Sequence, residues 1–278
     1  MAVATAPKET DCAAVALSAY EALAPAYDEM TADYGYDRWL SALERLALDH
    51  GLAGKRVLDV ACGTGKSFLP LLGRGYDVSA CDLSPGMVEI ARSHLPDPAR
   101  AFVADMRALP SIGPFDLVTC LDDAVNYLLE PSDLEAALRS MRSVLRPGGV
   151  LVFDVNTLHT YRTTFGADAV WERDQRLFCW RGMTAADAEP AAVHEAVVEV
   201  FTRDGPGRCW IRTTVRHRQR HHPRAAVERA LTRAGLTPRA VRGQSPGARL
   251  SRDADEQRHT KFVFVAQRPK GGPMVVKP

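Results

Sequence analysis

Apolar residues recur along the chain in two rhythms. Over residues 12–23 and 36–50 the spacing is helical, the second stretch placing Trp39, Leu40, Leu43, Leu46 and Ala47 on one stripe, so two leading helices are predicted. Short, nearly unbroken apolar runs follow and alternate with helical stretches: 56–61 then a helix from Gly65, 77–81 then a helix from Ser84, 102–104, 116–120 then a helix over 131–145, and 150–155. Strands of this kind are buried on both faces, the condition inside a parallel sheet. Ser84-Pro85 provides an N-cap and a proline at the first helical position, and Pro147-Gly148-Gly149 ends a helix and turns the chain into the fifth strand. The order predicts an α/β fold built on a doubly wound sheet.

After Asn156 the rhythm changes. Three long strand-like runs, 171–180, 193–201 and 209–219, predict an antiparallel β insertion after the fifth strand, with a turn at Asp204-Gly205-Pro206-Gly207. A helix over 223–234, a strand near 239–243 and a last strand over 261–265 bring the main sheet to seven strands.

Composition narrows the class. The longest apolar runs, such as 150–153 and 262–265, fall far short of the roughly 20 residues a bilayer span needs. Residues 1–10 read as a disordered leader without signal-peptide pattern, which makes the cytoplasm the expected location. The six cysteines show no CxxC pair, and three lie in or beside predicted core strands, so they read as small buried apolar residues. No metal site is expected, because His221-His222 has no carboxylate or Cys partner placed by the sequence. The net charge of +1 conceals an asymmetry: residues 1–155 carry 13 Lys+Arg against 22 Asp+Glu, residues 156–278 carry 22 against 12. Of the 35 basic residues 29 are Arg, a bias that genomic base composition also produces, so Arg abundance alone does not argue for phosphate binding.

The stretch from Val57 to Ser67 is a buried strand, a glycine turn and a helix start, a design that lets backbone amides approach a ligand. A P-loop would need glycine at Val60, and the dinucleotide fingerprint would need one at Phe68. With Asp59, Ala61, Gly63 and Gly65 the chain instead resembles the class I (Rossmann-like) S-adenosylmethionine-dependent methyltransferases over residues 20–157, although Ala61 stands where that family usually has glycine. The resemblance recurs at each later station and implies further cofactor contacts. Asp82, which ends the second strand 23 residues after Asp59, would take the ribose hydroxyls, with Met87 in the same station and Leu83 against the adenine ring. Asp105 and Met106 would take the adenine, unless Asp105 serves only its turn. Leu121 leads to the transfer end, where Asp122 or Asp123 would orient the acceptor or take its proton, unless they cap the helix that follows. Residues 20–39 resemble the lid of small-molecule N-methyltransferases of the glycine and amino-sugar types. Tyr27 and Trp39 are the matching aromatics, and Tyr27 is a third catalytic candidate; aromatics at this spacing also pack ordinary cores.

The expected division is a helical lid (1–50), a cofactor-binding core (51–157), a substrate-side insertion (158–222), the end of the core sheet (223–268) and a flexible tail (269–278). Because ligands of open parallel sheets lie beyond the strands' carboxyl ends, the insertion and the 243–259 loop should wall the acceptor pocket, with Asn126, Tyr127 and His217 as contacts. A strand splits the basic run Arg216–His222 between two faces without an aromatic stacking platform, which argues against nucleic acid and for a small-molecule acceptor. Exposed platform edges would suit a homodimer. The implied reaction is methyl transfer that leaves S-adenosylhomocysteine, to nitrogen before oxygen or carbon. An RNA methyltransferase and a cofactor-binding protein without transfer are the alternatives.

Overall fold

In the computed structural model, residues 12–204 and 209–270 are described. The expected leader (1–10), the 205–207 part of the expected turn and the tail beyond residue 270 lie outside them.

Helices α1 (Cys12–Leu23), α2 (Tyr27–Met30) and α3 (Tyr36–Asp49) lead the chain. The main sheet then winds through β1 (Arg56–Val60), α4 (Leu69–Gly73), β2 (Asp77–Asp82), α5 (Pro85–Arg92), β3 (Ala101–Val103), β4 (Phe115–Cys120), α6 (Pro131–Val144) and β5 (Leu145–Asn156). These five strands pair in parallel. Their side chains are buried on both faces, which is why they read as apolar runs: Leu58, Val60 and Val118 enter one core layer, Val57, Ala80 and Val152 the other. Ser84 caps α5, its hydroxyl accepting the Met87 amide at 3.1 Å.

After α7 (Leu158–Thr163) comes a second, antiparallel sheet: β6 (Ala169–Arg173), β7 (Arg176–Gly182), β8 (Val193–Arg203) and β9 (Trp210–Arg220). It has four strands where the sequence suggested three. The run 171–180 breaks into a hairpin because Asp174 takes a left-handed backbone (φ 46) at the tip, a conformation that Asp tolerates better than most residues. The chain returns through α8 (Arg224–Arg233), β10 (Thr237–Ser245), β11 (Arg249–Ser251) and β12 (Lys261–Gln267). The main sheet has the order β11-β10-β12-β5-β4-β1-β2-β3, with β12 antiparallel to β5. It holds eight strands rather than the expected seven, since three-residue β11 folds back on β10.

A second departure lies in the glycine loop. The helix expected from Gly65 begins only at Leu69. Gly65 is left-handed (φ 100), and a Cβ there would meet the Phe68 ring at 2.6 Å, so the backbone turns before it can wind into a helix.

The leading segment joins the two sheets. Ala19, Leu23 and Ala26 pack against Phe178, Val198, Val200 and Val215 of the antiparallel sheet. Its polar side grips the other sheet's loops: Glu21 accepts from the Ser84 hydroxyl at 2.6 Å and the Gly86 amide at 2.9 Å, and Asp28 accepts from the Thr64 hydroxyl at 2.6 Å. Ion pairs Arg173–Asp33 and Arg176–Glu29 tie α2 and its neighbours to the β6–β7 hairpin.

Candidate functional site

Two clefts meet beyond the carboxyl ends of β1 to β5. The first runs along the loops after β1, β2, β3 and β4 and is roofed by Leu17, Tyr20 and Tyr27. The second, of about 770 Å³, lies between the leading helices, the antiparallel sheet and the start of β12. Tyr20, Tyr27, Tyr36, Asp122 and Tyr127 line both and form the junction.

In the first cleft the wall includes Ala61, Gly63, Asp82, Leu83, Asp105, Met106 and Leu121. Ala61 and Gly63 both have a left-handed backbone (φ 56 and 54), a conformation that glycine takes without strain and alanine does not. The Asp82 carboxylate accepts the Gly63 amide at 2.8 Å and the Ser84 amide at 2.9 Å, so it stitches the first two loops together. Burial raises its pKa against those backbone bonds. Asp105 is gripped by Arg107, whose fork donates to it at 2.6 and 3.1 Å and also reaches Asp133 at 3.1 Å. Burial works to raise the Asp105 pKa, but the bonds from Arg107 outweigh it and leave it lowered.

Three residues expected beside the cofactor stand behind the wall. Asp59 is 1% exposed and accepts the Ser67 hydroxyl at 2.5 Å and the Thr119 hydroxyl at 2.6 Å, bracing the glycine loop against β4. Gly65 sits over Phe68, and Met87 is on the fully buried face of α5. Trp39 lines the second cleft, not the first, and its buried indole Nε1 has no partner.

The junction is where β4 ends. Asp122 and Asp123 are consecutive left-handed residues (φ 62 and 54) whose amides donate to the two oxygens of Asp154, at 2.6 and 3.0 Å. Lys261 reaches Asp122, Asp123 and Asp154 at 2.8, 2.7 and 2.9 Å. Tyr36 donates its hydroxyl to Asp122 at 2.9 Å, and Gln219 donates its amide to Asp123 at 2.6 Å. Burial opposes the charge on Lys261, but the three carboxylates hold its pKa well above the ordinary value. Asp123 is pushed up to about 6 by burial, with Lys261 pulling down and Asp122 and Asp154 pushing up.

Tyr27 and Tyr127 stand at the same junction. The Tyr20 hydroxyl donates to Tyr127 at 2.9 Å, and Tyr127 bonds His217 Nδ1 at 2.7 Å. Since Tyr127 accepts from Tyr20, its own proton goes to Nδ1, and the ring proton of a neutral His217 then sits on Nε2. Burial pushes the His217 pKa down to about 4. Its Nε2 has no protein partner, and the ring lines the second cleft, stacked on Trp180. Asn126 lies elsewhere: fully buried, it donates to the Arg220 carbonyl and accepts the Asn156 amide, tying β9 to β5 outside both cleft walls. Lys261, Asp154, Gln219, Arg107, Tyr20 and Tyr36 are among the polar groups of the site that the sequence reading did not single out.

Residues 57–149 match a family model described as a methyltransferase domain. A dTDP-3-amino-3,6-dideoxy-alpha-D-glucopyranose N,N-dimethyltransferase from Streptomyces fradiae is 30% identical over 220 residues, covering 77% of this chain and 83% of that one. The chain belongs to the S-adenosylmethionine-dependent methyltransferase family. The methyltransferase is also similar in fold to solved structures. An S-adenosylmethionine-dependent methyltransferase from Clostridium acetobutylicum matches with TM-score 0.73 at 23% identity, over 90% of this chain and 99% of that chain. The sugar N-methyltransferase KedS8 from Streptoalloteichus matches with TM-score 0.69 at 24% identity, over 97% and 99%. Among the described residues of this methyltransferase no helix is long and apolar enough to cross a membrane, and no group of three or more His, Cys, Asp or Glu could hold a metal ion.

Proposed function

We propose that this enzyme, acting in the cytoplasm, methylates the amine nitrogen of a small molecule held in the second cleft. The observation that carries the reading is the junction itself: two carboxylates, Asp122 and Asp123, meet a ring of tyrosines where the clefts join. Carboxylates backed by aromatic faces attract an ammonium or amine, whereas an alcohol gains nothing from them unless a strong base is present.

The first cleft fits the cofactor on chemical grounds. Asp82 turns a carboxylate to it for a diol, and Leu83, Met106 and Leu121 offer the apolar walls that a flat ring needs. Ala61 and Gly63 let the backbone come close, and Asp59, Gly65 and Met87 support that loop and helix from behind. Bound, S-adenosylmethionine supplies a methyl already activated by its sulfonium, so the protein's task is alignment and exclusion of water, worth several kcal/mol of barrier. Tyr20, Tyr27 and Tyr36 close the junction from the lid side. Asp122 orients the amine there. Asp123, on the acceptor side and with its pKa raised by burial, takes the proton that the nitrogen loses. His217 and Trp39 line the acceptor side, and Lys261 keeps the carboxylates from repelling each other.

In this reading residues 1–50 act as the lid, 51–157 hold the cofactor and 158–222 wall the acceptor. The names of the Streptomyces fradiae relative and of KedS8 support nitrogen on a small molecule. The test is formation of S-adenosylhomocysteine with panels of primary amines, of alcohols and of tRNA, followed by mass analysis of the product. Amines are expected to turn over, with Asp123→Asn about 100- to 10,000-fold slower. Turnover of alcohols alone, or salt-sensitive methylation of tRNA, would overturn the choice of acceptor.

A further inference from the structure

Behind the two carboxylates lies a second layer with an unusual construction. The chain leaves β4 through two consecutive left-handed residues, neither of them glycine. Such a turn persists only where its surroundings over-determine it. Here the determinant is one side chain: Asp154, with a fully buried carboxylate near the carboxyl end of β5, receives the Asp122 amide on one oxygen and the Asp123 amide on the other. An Asn at 154 could accept only one of the two amides, because its other terminus is a donor. The charge that this geometry requires is answered by Lys261, the first residue of β12, which bonds Asp154, Asp122 and Asp123 together.

We propose that Asp154 and Lys261 are a positioning pair: they hold the Asp122–Asp123 corner in its left-handed turn and set the charge it presents to the acceptor. The proposal rests on the reading that Asp123 receives the acceptor's proton. Three charged groups face Asp123: Asp122 on its own turn, Asp154 from β5 and Lys261 from β12. The titratable phenols around it are Tyr20 from α1, Tyr27 from α2, Tyr34 ahead of α3, Tyr127 and, from α7, Tyr161; burial raises the pKa of each, so all stay neutral through the working range. Gln219 from β9 touches it without titrating. The pair therefore acts on Asp123 with opposite signs, Lys261 favouring the carboxylate and Asp154 favouring the acid.

That opposition separates tuning from plain support. The probe is the side-chain carboxyl ¹³C shift of Asp123 in the folded, acceptor-free enzyme, assigned with Asp123→Asn and followed across pH. Lys261→Met is expected to move the Asp123 midpoint upward by about one to three pH units, the span usual for losing a neighbouring opposite charge. Asp154→Asn is expected to move it downward, and Lys261→Arg to leave it close to wild type. The acid limb of kcat/KM should follow the same two directions. Midpoints that move the same way in Lys261→Met and Asp154→Asn, or that stay put while kcat falls, would overturn the proposal. If Lys261→Met does not fold, an unmoved or raised midpoint in folded Asp154→Asn overturns it alone. The midpoint is read without turnover, so it can fail while Asp123→Asn still abolishes methylation. A fast Asp123→Asn enzyme would instead sink the catalytic reading.

Discussion

Asp59→Asn should stabilise the cofactor-free enzyme at neutral pH. The carboxyl is 1% exposed and receives only two hydroxyl hydrogen bonds, from Ser67 and Thr119. Burial outweighs them, and the nearby Asp82 charge adds to it, so the pKa rises from an ordinary 3.8 to about 6. A raised folded pKa means that the folded state holds this proton more tightly than the unfolded chain. The resulting stability is complete below about pH 4 and is lost as pH climbs through about 6. At about 1.4 kcal/mol per pH unit, the difference between 3.8 and about 6 makes that loss about 3 kcal/mol. Asn mimics the protonated acid: its carbonyl accepts from one hydroxyl and its amide donates to the other. Urea unfolding of both proteins at pH 4.5 and pH 7.5 gives the double difference. The Asn variant should gain about 2 kcal/mol on wild type between those pH values, because part of the loss has already occurred at pH 4.5. An equal gap at both would refute the reasoning, since no charge would then be confined at Asp59.

Two further outcomes follow from the first cleft. Asp82→Ala should weaken S-adenosylhomocysteine binding by about 1.5 to 3 kcal/mol in calorimetric titration; because Asp82 also holds the Gly63 and Ser84 amides, Asp82→Asn should recover only part of the loss, and unchanged affinity in a folded Asp82→Ala protein would remove Asp82 from the cofactor site. Glu21→Gln should loosen the lid, speeding hydrogen exchange over residues 12–30 and cofactor release by up to about fivefold, the scale of an exposed charged contact; the Ser84 hydroxyl and then the Gly86 amide lower the Glu21 pKa, so the wild-type latch should weaken as pH falls towards that value, and pH-independent lid exchange would count against it.

The residues whose placement was legible in the sequence were those set by their position on a strand. Asp82, Asp105, Asp122 and Asp123 each stand at or just beyond a carboxyl end of a parallel strand, and the sheet brings those ends together whatever the side chains are. The partners of these residues were illegible because the chain delivers them from far away: Lys261 is 139 residues from Asp122, and Gln219 is 96 from Asp123. Asp154 did carry a signal. An acid inside the run 150–155, otherwise apolar and predicted to be buried on both faces, has to be paired or neutralised, and that alone pointed to a buried polar cluster. Asn126 misled for the opposite reason, since its position near the transfer end says nothing about the backbone groups it ends up satisfying. In the fold, the aromatic-rich run 171–180 hid a turn, because cross-strand ring stacking of Trp171 on Phe178 uses the same residues that a single strand would show.

The leading segment gives the two clefts a shared wall. Ala19, Leu23 and Ala26 are buried in the antiparallel sheet's core, and from the same segment Glu21 and Asp28 grip the loops of the main sheet. Tyr20 and Tyr27, between those anchors, are wall to both clefts at once. Lifting the segment would break the Tyr20–Tyr127–His217 chain and uncover the loops of the first cleft in one movement, which on the proposed reading would couple the opening of the two clefts. For a reaction whose main requirement is alignment in a dry junction, that coupling is useful. If the segment acts as the proposed lid, the acceptor side would take its final shape only with the segment also over the cofactor side, which would leave little opportunity for water to occupy the junction while both clefts are filled.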